Sequence, residues 1–318
     1  PVKLARDETG HVYVLDLGSN CLYRFASTGE YIGQIGNKGA GPGEFSRPND
    51  LIMSRTRIFV SEIDNYRIQM MDASGVYKKF IRKYLTQYSM TCDDDNHIYI
   101  APLVYGAESR QVAVMNQEGE IIRAFGKPIV FPKDTTTLNH VYLELNTNDE
   151  LFAIYRYLPI IRKYSKAGYL LAEYDLNNIA MTKIGQINLD RNRSTKAKLQ
   201  RRYVLNVEAT SIYKDRVFLL CQGKYPIILE YDGEGQQRAI YQINHAGQYV
   251  VGDFLVTEND AGNKVFYLLQ VFPEARIDVY SERSISSKEA KDEKVVGSLL
   301  LGSLLSRSPW PARFCQYK

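Results

Sequence analysis

The sequence predicts an all-β fold, a six-bladed β-propeller with four-stranded antiparallel blades, and three observations predict it. Short segments of alternating apolar and polar residues recur in a fixed order, joined by turns rich in Gly, Asn and Asp. Equivalent positions Val12, Ile58, Ile98, Leu151, Val217 and Val265 are spaced by 46, 40, 53, 66 and 48 residues, the period of a four-stranded propeller blade. With 24 Tyr and 12 Phe against a single Trp, the composition favours half-buried pleated surfaces. A pair of β-sandwiches is the alternative, but it does not explain the repeated order of strands and turns. No long amphipathic helix competes with strands.

The first unit reads as His11–Leu15, Cys21–Phe25 and Tyr31–Ile35, with a Gly-containing turn at Ser27–Glu30. The second reads as Arg57–Val60, Arg67–Met71 and Val76–Ile81. The third is His97–Ile100, Gln111–Met115 and Ile121–Phe125. Units four and five match each other closely. Leu151–Ile154 precedes Leu158–Tyr164, as Val217–Leu220 precedes Tyr225–Tyr231, and Pro159 and Pro226 sit at the same place. Proline is tolerated at the first residue of a strand. The sixth unit has Val265–Leu269 and Arg276–Tyr280. Each unit has a further strand ahead of these, such as Asp50–Ser54, Tyr88–Cys92 and Val204–Glu208. The joining turns, Asp7–Gly10, Asp93–Asn96, Asn148–Glu150 and Asp260–Asn263, carry the residues that adopt positive φ.

These units place the blades at about 1–36, 48–84, 87–126, 139–175, 204–243 and 248–281, a propeller over 1–281 followed by a tail at 282–318. Blade six shows only three strands. Its fourth is expected from the tail or from residues ahead of Pro1, with the charged stretch Ser281–Lys294 as a loop and Val295–Leu305 packed against the propeller, as the outer strand or otherwise. Membrane contact is the weaker alternative for that segment. The long fourth spacing marks an insertion at about Leu176–Tyr203, holding Lys183, Arg191, Arg193, Lys196, Lys198, Arg201 and Arg202 against one acid, Asp190. It is expected as a solvated, partly helical excursion, with an anion-binding patch as the sharper alternative.

Over 318 residues, 45% hydrophobic and 24% charged content excludes disorder as the main state. The longest nearly apolar stretch, Val295–Leu305, is too short to span a bilayer as a helix. A net charge of +4 does not suggest a nucleic-acid binder. Four widely spaced cysteines (Cys21, Cys92, Cys221, Cys315) form no zinc pattern and are expected as buried thiols, with a disulfide involving Cys315 as the alternative. The chain begins at Pro1 without an apolar leader, so any export signal would lie outside it.

At the second blade the residues resemble a known family. Gly36–Phe45 contains Gly41, Pro42, Gly43 and Phe45; Pro48 precedes an inner strand; and Val60–Ile68 contains Glu62, Asn65 and Arg67. This resembles the NHL repeat, with Glu62 where that family has Asp. Blade one keeps Asp16 but places Ser19 and Cys21 at the Asn and Arg positions, and blades three to five lose the polar set. More broadly the chain is similar to the six-bladed propellers of Bacteroidetes, many of them exported lipoproteins of unknown role. The resemblance implies an extracytoplasmic protein without an assigned activity. The motif itself is architectural. Gly36–Gly43 lets the chain cross between blades, and Glu62, Asn65 and Arg67 form a hydrogen-bonded clip between strands of one blade.

Propeller enzymes work at the mouth of the central channel, and related lyases and lactonases bring His, Asp and Glu there for a metal. Here His11 and His97 share a turn position while His140 and His245 are isolated, so no His-held zinc is expected. Asp93–Asn96 could suggest calcium, but it sits where other blades have a hairpin turn. No Gly-x-Ser-x-Gly elbow, P-loop or dinucleotide fingerprint occurs. Tyr105, Tyr155, Tyr157 and Tyr225 fall in loops between second and third strands, which share one face of a propeller, and packing between blades is the alternative for them. These observations favour a binding propeller without a cofactor, expected as a monomer, that takes a protein, peptide or glycan on one face. A metal-dependent lyase or lactonase and an RNA-binding propeller are the alternatives. The expected contact residues are Tyr105, Arg156, Tyr157 and Tyr225, with Arg191, Arg193, Arg201 and Arg202 as an anionic-ligand rim over blades three to five.

Overall fold

The fold is a six-bladed β-propeller, seen in a computed structural model that describes residues 1–82, 87–102, 109–132, 134–178, 181–182, 184–186, 207–222, 226–243, 250–272, 275–282 and 298–299. Blade one is β1 (Lys3–Arg6), β2 (Val12–Asp16), β3 (Cys21–Phe25) and β4 (Tyr31–Ile35). Blade two is β5 (Pro48–Met53), β6 (Arg57–Glu62), β7 (Arg67–Asp72) and β8 (Tyr77–Arg82). Blade three is β9 (Gln87–Cys92), β10 (Ile98–Pro102), β11 (Val112–Met115) and β12 (Ile121–Phe125). After a one-turn helix, α1 (Thr135–Leu138), blade four is β13 (Val141–Leu145), β14 (Leu151–Tyr155), β15 (Ile160–Tyr164) and β16 (Leu170–Asp175). Blade five is β17 (Val207–Tyr213), β18 (Arg216–Gln222), β19 (Pro226–Tyr231) and β20 (Gln237–Ile243). Blade six is β21 (Val250–Glu258), β22 (Lys264–Phe272) and β23 (Arg276–Ser281). Every blade is an antiparallel meander running outward from the channel.

The turn chemistry is where the sequence places it. Gly10, Asn96, Asp149 and Gly262 have φ of 90°, 65°, 57° and 79°. In blades one to five the pairing of third and outer strands shifts register beside the connecting turn, between Arg24 and Phe25, Met70 and Met71, Val114 and Met115, Lys163 and Tyr164, and Glu230 and Tyr231. Such a bulge needs a left-handed residue, which Gly29, Gly75, Gly119, Gly168 and Gly235 supply.

The core lies between blades rather than within one. Leu51, Ile58 and Val60 pack on Tyr13 and Leu15 across the first junction, and the same pattern repeats around the ring. The ring closes by packing. Leu4, Val12, Val14 and Tyr23 of blade one meet Tyr267 and Leu269 of blade six.

Blade six shows its three expected strands among the described residues, and three other features refine or depart from expectation. The two described tail residues form β24 (Ser298–Leu299), which pairs in parallel with Gln242–Ile243 at the outer edge of blade five; the rest of 295–305 lies outside the described residues. The inner strand of blade five is Val207–Tyr213, shifted from Val204–Glu208. The insertion does not begin as a solvated excursion. Leu176, Met181 and Ile184 are buried against Phe152, Ile154, Val217 and Leu219, because the chain must cross the seam between blades four and five.

Candidate functional site

The connections from outer to inner strands and the loops between second and third strands share one face. Hydrogen bonds tie them together: Arg47 N–H donates to Asn20 Oδ1 (2.8 Å), Ile63 N–H to the Arg47 carbonyl (3.1 Å) and Arg156 N–H to the His140 carbonyl (3.0 Å).

On this face the polar set of blade two grips the loop arriving from blade one. Glu62, fully buried, accepts four hydrogen bonds, from Arg67 Nε (2.7 Å), Gln69 Nε2 (3.0 Å), Asn65 Nδ2 (2.5 Å) and Ser46 N–H (2.8 Å). Arg67 then donates to the carbonyls of Ala40, Gly41 and Glu44 at 2.7, 3.1 and 3.0 Å, and Asn65 to that of Gly39 at 3.1 Å. The clip therefore joins strand to incoming loop, and not only strands of one blade. Gly36 is obligatory there. Its φ is 77°, and a Cβ would lie 2.4 Å from the Phe45 ring. The polar set reappears in altered form at blade four. Arg162 donates to the Lys127 carbonyl (2.6 Å) and to buried Gln111 (3.3 Å), which also bonds Tyr155 and Tyr164.

Tyr66 on this loop face is 66% exposed with φ of 50°. The turn Ile63–Tyr66 matches Leu17–Asn20 of blade one, where Asn20 holds the same conformation (φ 55°). Leu17 and Ile63, the first residues of the two turns, are exposed. Over blade four, Arg156 lies 5.2 Å above the Tyr157 ring and pairs with Glu208 at 3.2 Å. Tyr155 is not a surface aromatic: it is fully buried in β14 and bonded to Gln111, so the packing alternative holds for it. Tyr105, Tyr225, Arg191, Arg193, Arg201 and Arg202 lie outside the described residues.

Below the loops, the inner strands line the channel with a charge cluster that local sequence patterns do not reveal. Lys3 Nζ of β1 stands 3.6 Å from Asp253 Oδ2 of β21, and Asp50 of β5 and Glu144 of β13 also act on it. Asp50 and Asp253 are buried. Burial pushes Asp50 up to about 6, with Lys3 and two backbone N–H donors pulling it partly back. Burial pushes Glu144 up to about 7, opposed by Lys3 and the Thr210 hydroxyl at 2.7 Å. Asp253 is raised by the same cause. Burial alone would lower Lys3, but Asp253, Asp50 and Glu144 outweigh it and hold it protonated. Such a set can bind a charged group or hold a proton near neutrality. Its signal in the sequence is an isolated acid inside an apolar inner strand, as in Val250–Val256.

Four junctions share a staple: a polar side chain of one inner strand accepts a backbone N–H of the next blade. Asp253 receives Leu4 (2.8 Å), Asp50 receives Met90 (3.0 Å), Ser89 receives Leu143 (3.2 Å) and Ser211 receives Val256 (3.1 Å).

The opposite face holds the histidine turns. His11 Nδ1 lies 3.1 Å from Asp7 and His97 Nδ1 lies 3.0 Å from Asp93, each Asp also accepting from the Tyr two residues beyond the His. Asp93, Asp95 and His97 are the one group among the described residues with ligand atoms close enough for a metal ion. The Lys166 ammonium already stands there, 3.0 Å from Asp95 and 2.8 Å from Asp149. Blade one repeats the turn with Thr9 in place of Asp95, so the arrangement is a hairpin device first.

No helix among the described residues is long and apolar enough to cross a membrane. No curated protein matches the sequence. In fold the chain is similar to a Bacteroides fragilis protein assigned as exported, with 14% identity over 84% of this chain and 78% of that one and a TM-score of 0.59. It is also similar to virginiamycin B lyase from Staphylococcus aureus, with 13% identity over 91% and 86% of the two chains and a TM-score of 0.55. A catalytically inactive form of that lyase with quinupristin aligns at 12% identity over 90% and 88%, TM-score 0.54. Residues 2–255 match a family described as 6-bladed beta-propeller, DUF5128, and the chain belongs to that family.

Proposed function

We propose that the protein is a binding propeller of the cell envelope that takes a protein, peptide or glycan on the loop face around the channel mouth. Tyr66 carries this reading. A non-glycine residue in the left-handed region costs about 1–2 kcal/mol, and blade one shows that the turn is content with Asn. Tyr66 is largely exposed, so burial recovers little of that cost. Arg47 and Lys214 hold the same conformation in other turns, so it is the combination of that backbone with an exposed aromatic ring that makes Tyr66 the candidate position. Exposed Leu17 and Ile63 add apolar positions on the same face, and the Arg156–Tyr157 stack supplies a second aromatic position over blade four. Flat rings of this kind serve sugar rings and peptide side chains alike. An envelope location is supported by the fold likeness to an exported protein.

The test is photo-crosslinking in intact cells with p-benzoylphenylalanine at positions 66, 157 and 169. Tyr169 is 74% exposed at the turn entering β16, on the far side of the blade. Light-dependent adducts are expected from positions 66 and 157 and none from 169. No adduct from either loop-face position, or equal labelling from all three, rejects the reading.

A second reading, a lyase, is favoured by Glu144 and Asp50, whose carboxyls lie near neutrality beside an ammonium. Chromatographic loss of quinupristin on incubation with the protein would establish it, and unchanged quinupristin leaves the binding role.

A further inference from the structure

Among the described residues Asp16 is the only buried acid with a carboxylate oxygen that no donor reaches. It closes β2 on the loop face and is 1% exposed. Its Oδ1 accepts the turn N–H groups of Gly18 (2.6 Å) and Ser19 (3.3 Å), and the Pro1 amino group stands 3.5 Å from that same oxygen. Oδ2 has no hydrogen-bond partner. A buried acceptor left unpaired is costly, and more so when it carries charge, so such an oxygen calls for a donor.

Blade two shows which donor fits. Asp16 and Glu62 end equivalent strands ahead of equivalent turns, with Val14 opposite Leu4 as Val60 is opposite Leu51. Glu62 Oε2 accepts the N–H of Ser46, two residues ahead of Pro48, on the segment that enters β5. Its other donors are the side chains of Asn65, Arg67 and Gln69. Blade one has Ser19 and Cys21 at the Asn65 and Arg67 positions, and these engage each other, Oγ to Sγ, at 3.0 Å. The carboxylate is kept, while the Asn and Arg that would fill it from within the blade are gone. What remains is the role shown by Ser46, a backbone N–H on the segment entering the inner strand. In blade two that segment, Gly36–Arg47, comes from the outer strand β4 of blade one. The corresponding path into β1 starts at the outer edge of blade six, where β23 carries no further strand among the described residues, and it reaches Asp16 just ahead of Pro1.

We infer that Asp16 is a receptor for a backbone N–H of an extended polypeptide segment that crosses from the outer edge of blade six and leads into Pro1, clipped to blade one as Gly36–Arg47 is clipped to blade two. The ligand is a peptide amide rather than an ion: Asp16 stands apart from the one described group of metal-ligating atoms, at Asp93, Asp95 and His97. The segment straps the junction of blades six and one, which is otherwise held by packing of Leu4, Val12 and Val14 on Tyr267 and Leu269 and by the Asp253 staple.

The test places Ser-Arg ahead of Pro1 on the full chain, the pair that precedes Pro48 in blade two. With that serine 15N-labelled, its N–H is expected to exchange about tenfold more slowly than in an unstructured peptide, as a hydrogen bond to a charged acceptor requires. Asp16→Asn keeps an oxygen for the turn and turns the second acceptor into a donor, so the protection is lost. Pro-Arg in place of Ser-Arg removes the N–H without touching the folded blades, and it should lower the melting temperature by roughly 3 °C relative to Ser-Arg. An unprotected serine N–H, or protection that survives Asp16→Asn, overturns the inference. So does equal melting of the Ser-Arg and Pro-Arg chains; if both melt below the chain that begins at Pro1, Asp16 serves the Pro1 ammonium instead.

Discussion

Replacing Glu62 by Gln removes one charge and one acceptor oxygen from the centre of the blade-two clip, at nearly constant shape. The carboxylate accepts four hydrogen bonds at 2.5–3.0 Å. A Gln amide keeps one acceptor oxygen and points an NH2 group at two donors, so two bonds to a charged acceptor are lost. Each is worth about 1.5–3 kcal/mol. Arg67, 6% exposed, is left without its counter-charge, and breaking a buried pair on one side costs about 3–5 kcal/mol. These two estimates describe overlapping losses, and a total near 4 kcal/mol is expected. For a chain of this length that lowers the melting temperature by roughly 8 °C. Urea denaturation followed by circular dichroism gives the loss, and hydrogen exchange should show it concentrated in residues 36–47, the loop that Arg67 holds. Combined with Arg67→Met, the two changes should be strongly sub-additive, with a coupling of about 2 kcal/mol or more. A loss below about 1 kcal/mol, or two additive effects, would refute the idea that the clip anchors the connection between blades.

Gly36→Ala should destabilise by about 3 kcal/mol in the same assay, because its Cβ would meet the Phe45 ring and the Gly43 carbonyl in a left-handed conformation. Tyr66→Asn should raise stability by about 1 kcal/mol by relieving the backbone while reducing ligand capture on cells, and a variant that loses stability would contradict the strain argument. Tyr157→Ala should abolish ligand capture on cells with the melting temperature nearly unchanged, as measured by calorimetry. Raising pH from about 4 to about 7.5 should remove up to roughly 3 kcal/mol through Asp50 alone, the energy of its rise from 3.8 to about 6; the Asp50→Asn profile should lack that component.

What the sequence made legible is what is local. Strand alternation, hairpin glycines and the His turns depend on residues within about ten positions of each other, and apart from the shifted inner strand of blade five they lie where the repeats place them. The clip was also legible, since Gly36–Phe45 and Glu62–Arg67 are close in the chain. Tyr155 was misplaced because the end of a buried strand and the start of a loop look alike in an aromatic, Arg-rich run. Leu176, Met181 and Ile184 were hidden by the basic residues that follow them. Tyr66 could have been found by setting Ile63–Tyr66 against Leu17–Asn20, which exposes an aromatic where the turn wants Asn. The channel cluster joins residues 3, 50, 144 and 253, and no spacing rule connects them before the ring is closed.

The staples around the channel show that this cluster carries more charge than the architecture requires. Each staple needs only an oxygen to accept one backbone N–H, and Ser89 and Ser211 perform that at two junctions with neutral hydroxyls. Asp50 and Asp253 perform it with carboxylates, and Asp253 does so at the seam where the ring closes. Neither Glu144 nor Lys3 makes a staple through its side chain. Well-packed apolar residues often match or exceed a buried ionic group in stability, so the three acids and the lysine are not explained by the need to hold six blades together. Serine at position 253 separates the two roles. It would retain an acceptor for Leu4 N–H and remove the charge opposite Lys3. If stapling were the whole purpose of Asp253, the Asp253→Ser variant would keep the wild-type pH profile of the seam. A flattened profile would give the Asp253 charge a role beyond stapling.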